Sequence, residues 1–273
     1  MTEEEWNACT EPGNMLDFLL GRESQRRRSL LSRLSFRGRT GGDEGPQRSS
    51  DRKLRLFGCA CCRRIWELLQ NPRSQHAVEV SERYADGLAA AQELEAARAA
   101  AWERWESMPK PPSNEYYAEM SMGGRPTDTA RVWAARAAAL VAGDSAAEAA
   151  EAAVSAVEQA AIEWAVEWPK ASLVADMVGA AARAEPLRDV VGTPFRSLSH
   201  AFAWRTPAVV TLAQAVYDER ALPEGALDTT RLAALADALE QAGCTDADIL
   251  GHCRSEGPHV RGCWVVALTL GQP

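Results

Sequence analysis

The residues of this 273-residue chain whose types and spacing could do chemistry are its cysteines and histidines. Cys59 and Cys62 form a C-x-x-C pair inside the run Gly58-Cys59-Ala60-Cys61-Cys62, and such a pair can supply half of a zinc site. A second concentration of donors lies late, where His252, Cys253, His259 and Cys263 read HC-x5-H-x3-C with Cys244 just before them. Those residue types bind zinc, and the spacing resembles a loose single-site motif. It is not one of the strong patterns, because adjacent His252 and Cys253 on a helix point about 100° apart. A zinc reading draws on Cys59, Cys62, Cys253, His259 and Cys263. An acid-base reading would use His259, Glu256 and Arg261 with Cys263 as nucleophile, since a thiolate needs a base and an electropositive setting. Against both stands packing: free cysteine is a small hydrophobe and among the most buried residue types. On that reading Cys253 and Cys263 are core, while His252 and His259 sit at helix ends as partners for backbone or carboxylates.

The element that must position the early cysteines is Asp51 to Leu69, DRKLRLFGCACCRRIWELL. On a helical wheel Leu54, Phe57, Gly58, Cys61, Cys62, Ile65, Leu68 and Leu69 share one arc, with Arg52, Arg63 and Glu67 opposite. Ser50 or Asp51 can cap its start, and Asn71-Pro72 stops it, because the residue before proline is pushed out of the α region. Its small-residue waist lets a neighbouring helix approach closely. This segment is expected to be the central helix of an all-helical core.

The rest of the chain reads as helices around it. Thr2 to Leu20 predicts two short helices divided by Thr10-Glu11-Pro12-Gly13, the first with a Thr2/Glu5 capping box. Residues 21–50 differ in kind. They carry Arg22, Arg26, Arg27, Arg28, Arg33, Arg37, Arg39 and Arg48 and dissolve into Gly38-Arg39-Thr40-Gly41-Gly42, a composition that resembles disorder. As a functional element this stretch would be a basic arm for nucleic acid or an acidic partner, or a surface-lying amphipathic piece. Residues 51–273 form the helical core, with a sub-boundary at the proline- and glycine-rich 107–127. Arg73 to Glu106 predicts one long helix, in which Gly87 costs about 1 kcal/mol relative to alanine. Asp128 to Val141 and Ser145 to Trp168 predict a helical pair, and Lys170 to Ala184 one more. Glu185 to Thr206 reads as an irregular connector. The C-terminal module, 206–273, predicts helices from Pro207 to Arg220, after Asp228, from Thr245 to Cys253, and from His259 to Leu270.

Composition bounds the function. The chain is 46% hydrophobic and 25% charged, as expected of an ordinary globular protein. A net charge of −8 argues against nucleic-acid or anionic-membrane binding by the whole molecule, leaving only the Arg22–Arg48 arm for it. No run of about 18 apolar residues predicts a membrane span. An odd number of cysteines behind an acidic start predicts reduced thiols in a cytoplasm. No G-x-G-x-x-G, Walker loop, G-x-S-x-G or H-E-x-x-H occurs.

Two segments carry a resemblance: SDRKLRLFGCACCRRIWELL at Ser50 to Leu69, and LAALADALEQAGCTDADILGHCRSEGPHVRGCWVVALTLG at Leu232 to Gly271. With VVGTPFRSL and TPAVVTLAQAVYDERALP between them, the chain resembles a large, lineage-expanded family of uncharacterised planctomycete proteins. ADALEQAG at Ala236 to Gly243 is also similar to the short repeat-companion domain of the same bacteria. The resemblance covers most of the chain outside residues 21–49 and implies no particular activity. The leading expectation is therefore a non-catalytic, all-α interaction or scaffold protein with a protein partner and no cofactor. The alternatives are a zinc-binding helical protein and a nucleic-acid-associated factor working through the arm.

Overall fold

A computed structural model of the chain describes residues 1–22, 50–109, 126–167, 180–195 and 203–272. Among them are twelve α-helices and no sheet. The extended pairings among the described residues are isolated bridges, Ala221 with Ala226 and Ala226 with Val260. The fold is all-α, as expected, and no described helix is long and apolar enough to cross a membrane. Of the arginine-rich stretch, residues 23–49 lie outside the described residues; Arg22 pairs with Glu151.

The organising element is α3, Asp51–Arg64, following α1 (Glu3–Ala8) and α2 (Pro12–Leu19). Ten of its 14 residues are buried, so it is an interior helix rather than an amphipathic surface one. Gly58 shows why its waist must be small: a Cβ there would stand 3.0 Å from Val141 Cγ2 and 3.4 Å from Ala150 Cα. Cys59, Cys61 and Cys62 are interior filler, and burial pushes the thiols of Cys59 and Cys62 well up. The helix ends at Arg64 and passes into a 3-10 turn, Trp66–Leu68, rather than continuing to Leu69.

Arg55 is the unexpected occupant of this core. Its Nη1 donates to the carbonyls of Val141 (2.9 Å) and Gly143 (2.8 Å), and its Nη2 to that of Asp144 (3.2 Å). These carbonyls close α6 (Pro126–Val141), whose last turn has no partners within the helix. A cation at a helix C-terminus is also favoured by the macrodipole. Arg55 thus fixes the turn from α6 into α7 (Ala146–Glu167), the two helices that cover α3 with alanine faces.

The long helix expected from Arg73 to Glu106 is two: α4, Pro72–Ala85, and α5, Ala91–Ser107. Gly87 adopts φ +73°, the left-handed conformation that ends a helix, so its flexibility turns the chain back instead of being tolerated in line. Near that turn lies a buried charge network. Glu82 accepts from Arg63 Nε (3.0 Å) and Nη2 (2.9 Å) and from Arg220 Nη2 (2.7 Å). Asp86 accepts from Arg52, Arg261 and the Tyr217 hydroxyl. The network joins α3 and α4 to α9 (Pro207–Asp218) and the loops around it.

Downstream, helix α8 runs Ala180–Val191, through Pro186 and into the segment read from sequence as an irregular connector. Burial of Ala184, Leu187, Val190 and Val191 overrides the missing proline N–H. A separate apolar cluster gathers α9, α10 (Thr229–Gln241), α11 (Ala247–Cys253) and α12 (Trp264–Leu270). The last helix begins at Trp264, not His259. Residues 259–263 form a turn in which Cys263 N–H donates to Val260 C=O at 2.9 Å and Gly262 stands at φ +99°.

Candidate metal centre

The turn from His259 to Cys263 faces the C-terminal end of α8, and four donors converge there. Asp189 Oδ1, His252, His259 and Cys263 Sγ each offer one ligand atom, all within 4.8 Å of one another. Asp189, His259 and Cys263 are buried, and the His252 side chain is 20% exposed.

Local structure explains the convergence. Asp189 is carried by α8 one residue before the buried Val190 and is itself 3% exposed. Close approach of α8 to α12 requires Gly192, where a Cβ would meet Trp264 Cγ at 2.9 Å. His252 is in the last turn of α11, which Asp246 caps by accepting from Asp248 and Ile249 N–H. His259 is held by its own carbonyl, which accepts from Leu227 N–H at 2.9 Å. Gly262 lets the turn press onto the central helix, since a Cβ there would lie 3.0 Å from Leu56 Cδ1.

The hydrogen bonds around the cluster fix which atoms face its centre. Ser255 Oγ donates to His252 C=O at 2.8 Å, leaving its lone pairs to accept. His259 Nε2 therefore meets two acceptors, Ser255 C=O at 3.1 Å and Ser255 Oγ at 3.2 Å, and must carry a proton. In the neutral ring that leaves Nδ1 with a lone pair, aimed at Asp189 Oδ1 only 3.0 Å away. His252 Nε2 lies 3.0 Å from the same Oδ1 and 3.2 Å from Cys263 Sγ. The other carboxylate oxygen, Oδ2, is already taken by Val260 N–H at 2.8 Å.

Without an ion, His259 as an imidazolium donates Nδ1–H to Asp189 Oδ1 and the two form a buried ion pair. Burial opposes that charge, but the hydrogen bond to Asp189, its negative charge and the Ser255 carbonyl raise the His259 pKa. Burial likewise favours a neutral Asp189, yet the two histidines and Val260 N–H hold its carboxyl below the ordinary range. Cys263 is fully buried and its thiol is pushed well up, chiefly by burial and the Asp189 charge.

With a divalent ion the same atoms are satisfied differently. A tetrahedral zinc with bonds of about 2.0–2.3 Å spaces its ligands roughly 3.3–3.8 Å apart, so the cluster closes on one with shifts of about an ångström or less. A carboxylate, a thiolate and two neutral imidazoles balance a charge of +2. Two of the four ligands already have the outer partners that orient a metal ligand, Ser255 behind His259 and Val260 N–H behind Asp189. A Cys-His-Asp nucleophile is a poorer account, because one nitrogen of His252 faces both Asp189 and Cys263. The acid and the thiol thus share one nitrogen instead of flanking the ring, and a thiol without exposed surface meets no substrate.

Of the residues expected to bind zinc, His259 and Cys263 enter the cluster. Cys59 and Cys62 do not: they lie in α3, with Cys59 Sγ 3.8 Å from Val78 C=O. Cys253 turns into the apolar cluster of the C-terminal helices, its pKa pushed up to about 12 mainly by burial. The divergence expected of adjacent His252 and Cys253 holds, but it is the histidine that reaches the site. Asp189 was missed altogether, and its one signal is a lone acid among Leu187, Val190 and Val191. Glu256 is exposed, and Arg261 turns to Asp86, so neither serves the acid-base arrangement. No family model, curated protein or solved structure matches the chain.

Proposed function

We propose that this chain is a non-catalytic helical protein in which one zinc-class ion, held by Asp189 Oδ1, His252 Nε2, His259 Nδ1 and Cys263 Sγ, clasps the C-terminal helices to α8. The observation that carries this reading is the convergence of four ligand atoms, one each from Asp189, His252, His259 and Cys263, within 4.8 Å of one another, with three of the four residues buried. Four protein ligands leave no open position for a substrate, which favours a structural ion over a catalytic one. The wider role that suits such a frame is that of an interaction protein, and identifying what co-purifies from native cells tests that separately.

The metal test is elemental analysis of protein produced without added metal, followed by cobalt substitution. About one zinc per chain is expected. The cobalt form should show the intense visible bands of a tetrahedral site and a thiolate charge-transfer band that Cys263→Ser removes. Zinc that is absent, or that survives in Asp189→Asn and His252→Ala but is lost in Cys59→Ala, would overturn the assignment.

A further inference from the structure

A cavity sharing no residue with the Asp189 cluster lies where the first turn of α4 meets the end of α5 and the start of α6. Its volume is about 300 Å³, at the lower end of cavities that hold small molecules. Leu68, Leu69 and Val132 give it an apolar wall, and Ser74, Arg104 and Arg131 give it a polar one. Among the described residues that line it there is no carboxylate.

The polar wall is built but incomplete. Ser74 is 1% exposed, yet its hydroxyl has no hydrogen-bond partner. Arg104 Nε is likewise buried without one. A buried donor left unmade costs about 1–3 kcal/mol, so two in one cavity wall need an explanation. Ser74 is the third residue of a 14-residue helix whose positive end therefore points toward the same space. That end is already capped by Asn71, whose side chain accepts from Arg73 N–H at 2.9 Å and whose carbonyl accepts from Ser74 N–H at 3.0 Å. The donors left over are side-chain donors, and they ask for an acceptor with negative charge.

We infer that this cavity binds a small oxyanion bearing a short apolar tail, its head group accepting from Ser74 Oγ and the Arg104 guanidinium with Arg131 beside it, and its tail on Leu68, Leu69 and Val132. A planar guanidinium suits carboxylate and phosphate heads alike. The tail distinguishes the ligand from free inorganic anions, which would leave the apolar wall against water.

The test is calorimetric titration of the full chain with hexanoate, hexyl phosphate and hexanol. One of the two anions should bind saturably, and the tighter identifies the head group. Hexanol should bind at least about tenfold more weakly, the worth of a charge-assisted hydrogen bond or two. Arg104→Gln should lose a comparable factor and Ser74→Ala several-fold. Because Ser74 is buried, its variant is checked by circular dichroism. Should Ser74→Ala not fold, the half-buried Arg104→Gln and Arg104→Lys decide the matter alone. Failure of both anions to saturate below about 10 mM, equal binding of hexanol, or an unchanged Arg104→Gln would each overturn the inference.

Discussion

Glu82→Gln isolates the contribution of the buried charge network, because the substitution keeps shape and volume while removing one charge. In the native chain Glu82 is 2% exposed and faces Arg63, Arg220 and, at 3.6 Å, Arg261. A glutamine amide must turn its NH2 toward one side. Placed at Oε1 it opposes Arg63 Nε, and placed at Oε2 it opposes both Arg63 Nη2 and Arg220 Nη2. Either orientation sets donor against donor and leaves buried guanidinium charge uncompensated, which costs about 3–5 kcal/mol. For a chain of this size that corresponds to a fall in Tm of about 6–20 °C. Arg220→Met should cost much less, since Glu82 keeps its two-pronged contact with Arg63.

The same site predicts a pH dependence. Burial pushes the Glu82 carboxyl up, but the hydrogen bonds and charges of Arg63 and Arg220 outweigh it and hold the pKa below its ordinary 4.5. A folded-state pKa below the unfolded one means that the stabilisation is present above the ordinary value. It is lost as pH falls through the folded value. Urea melts of wild type and Glu82→Gln should therefore differ most near neutrality and converge in acid. A difference below about 1 kcal/mol at pH 7, or one unchanged at low pH, would refute the account of the network.

Three further outcomes follow from the packing. Of the seven cysteines only Cys9 is partly exposed, so native protein should show one fast thiol toward a disulfide reagent, and all seven after denaturation. Arg55→Met should lose about 2–4 kcal/mol in denaturant melts, because it strips the donors from the Val141, Gly143 and Asp144 carbonyls. Gly262→Ala should cost about 2–4 kcal/mol through φ +99° and the clash with Leu56, and its zinc content should fall below that of wild type.

The helices were legible where apolar periodicity and caps agreed, as at Ser50 and Asp228, each of which accepts from an N–H of the first turn. The small waist of α3 was legible as packing, because its alternative needed distant partners. What misled was punctuation. Gly87 looked tolerable within a helix and ends one, while the stretch from Glu185 read as a connector and its first residues, Pro186 included, are carried inside α8. Both outcomes are set by tertiary contacts that local propensity does not contain. The site was half legible for the same reason. His259 and Cys263 stood out as residue types, but their geometry depends on a turn for which the expected helix from His259 to Leu270 left no room. Asp189 belongs to another part of the chain, and no spacing rule reaches it.

The donors of the cluster are unevenly spread along the chain. His252, His259 and Cys263 are near neighbours, with His252 and Cys263 separated by 11 positions, whereas Asp189 is 63 positions from His252. A chelate of the three near donors closes only short loops, so it can form before the α8 end has docked. An ion caught that early binds the unfolded chain as well as the folded one, and ligand affinity for the unfolded state subtracts from the stabilisation. On the proposed zinc reading, the carboxylate of Asp189 is then what would make metal capture favour the finished molecule over its precursors.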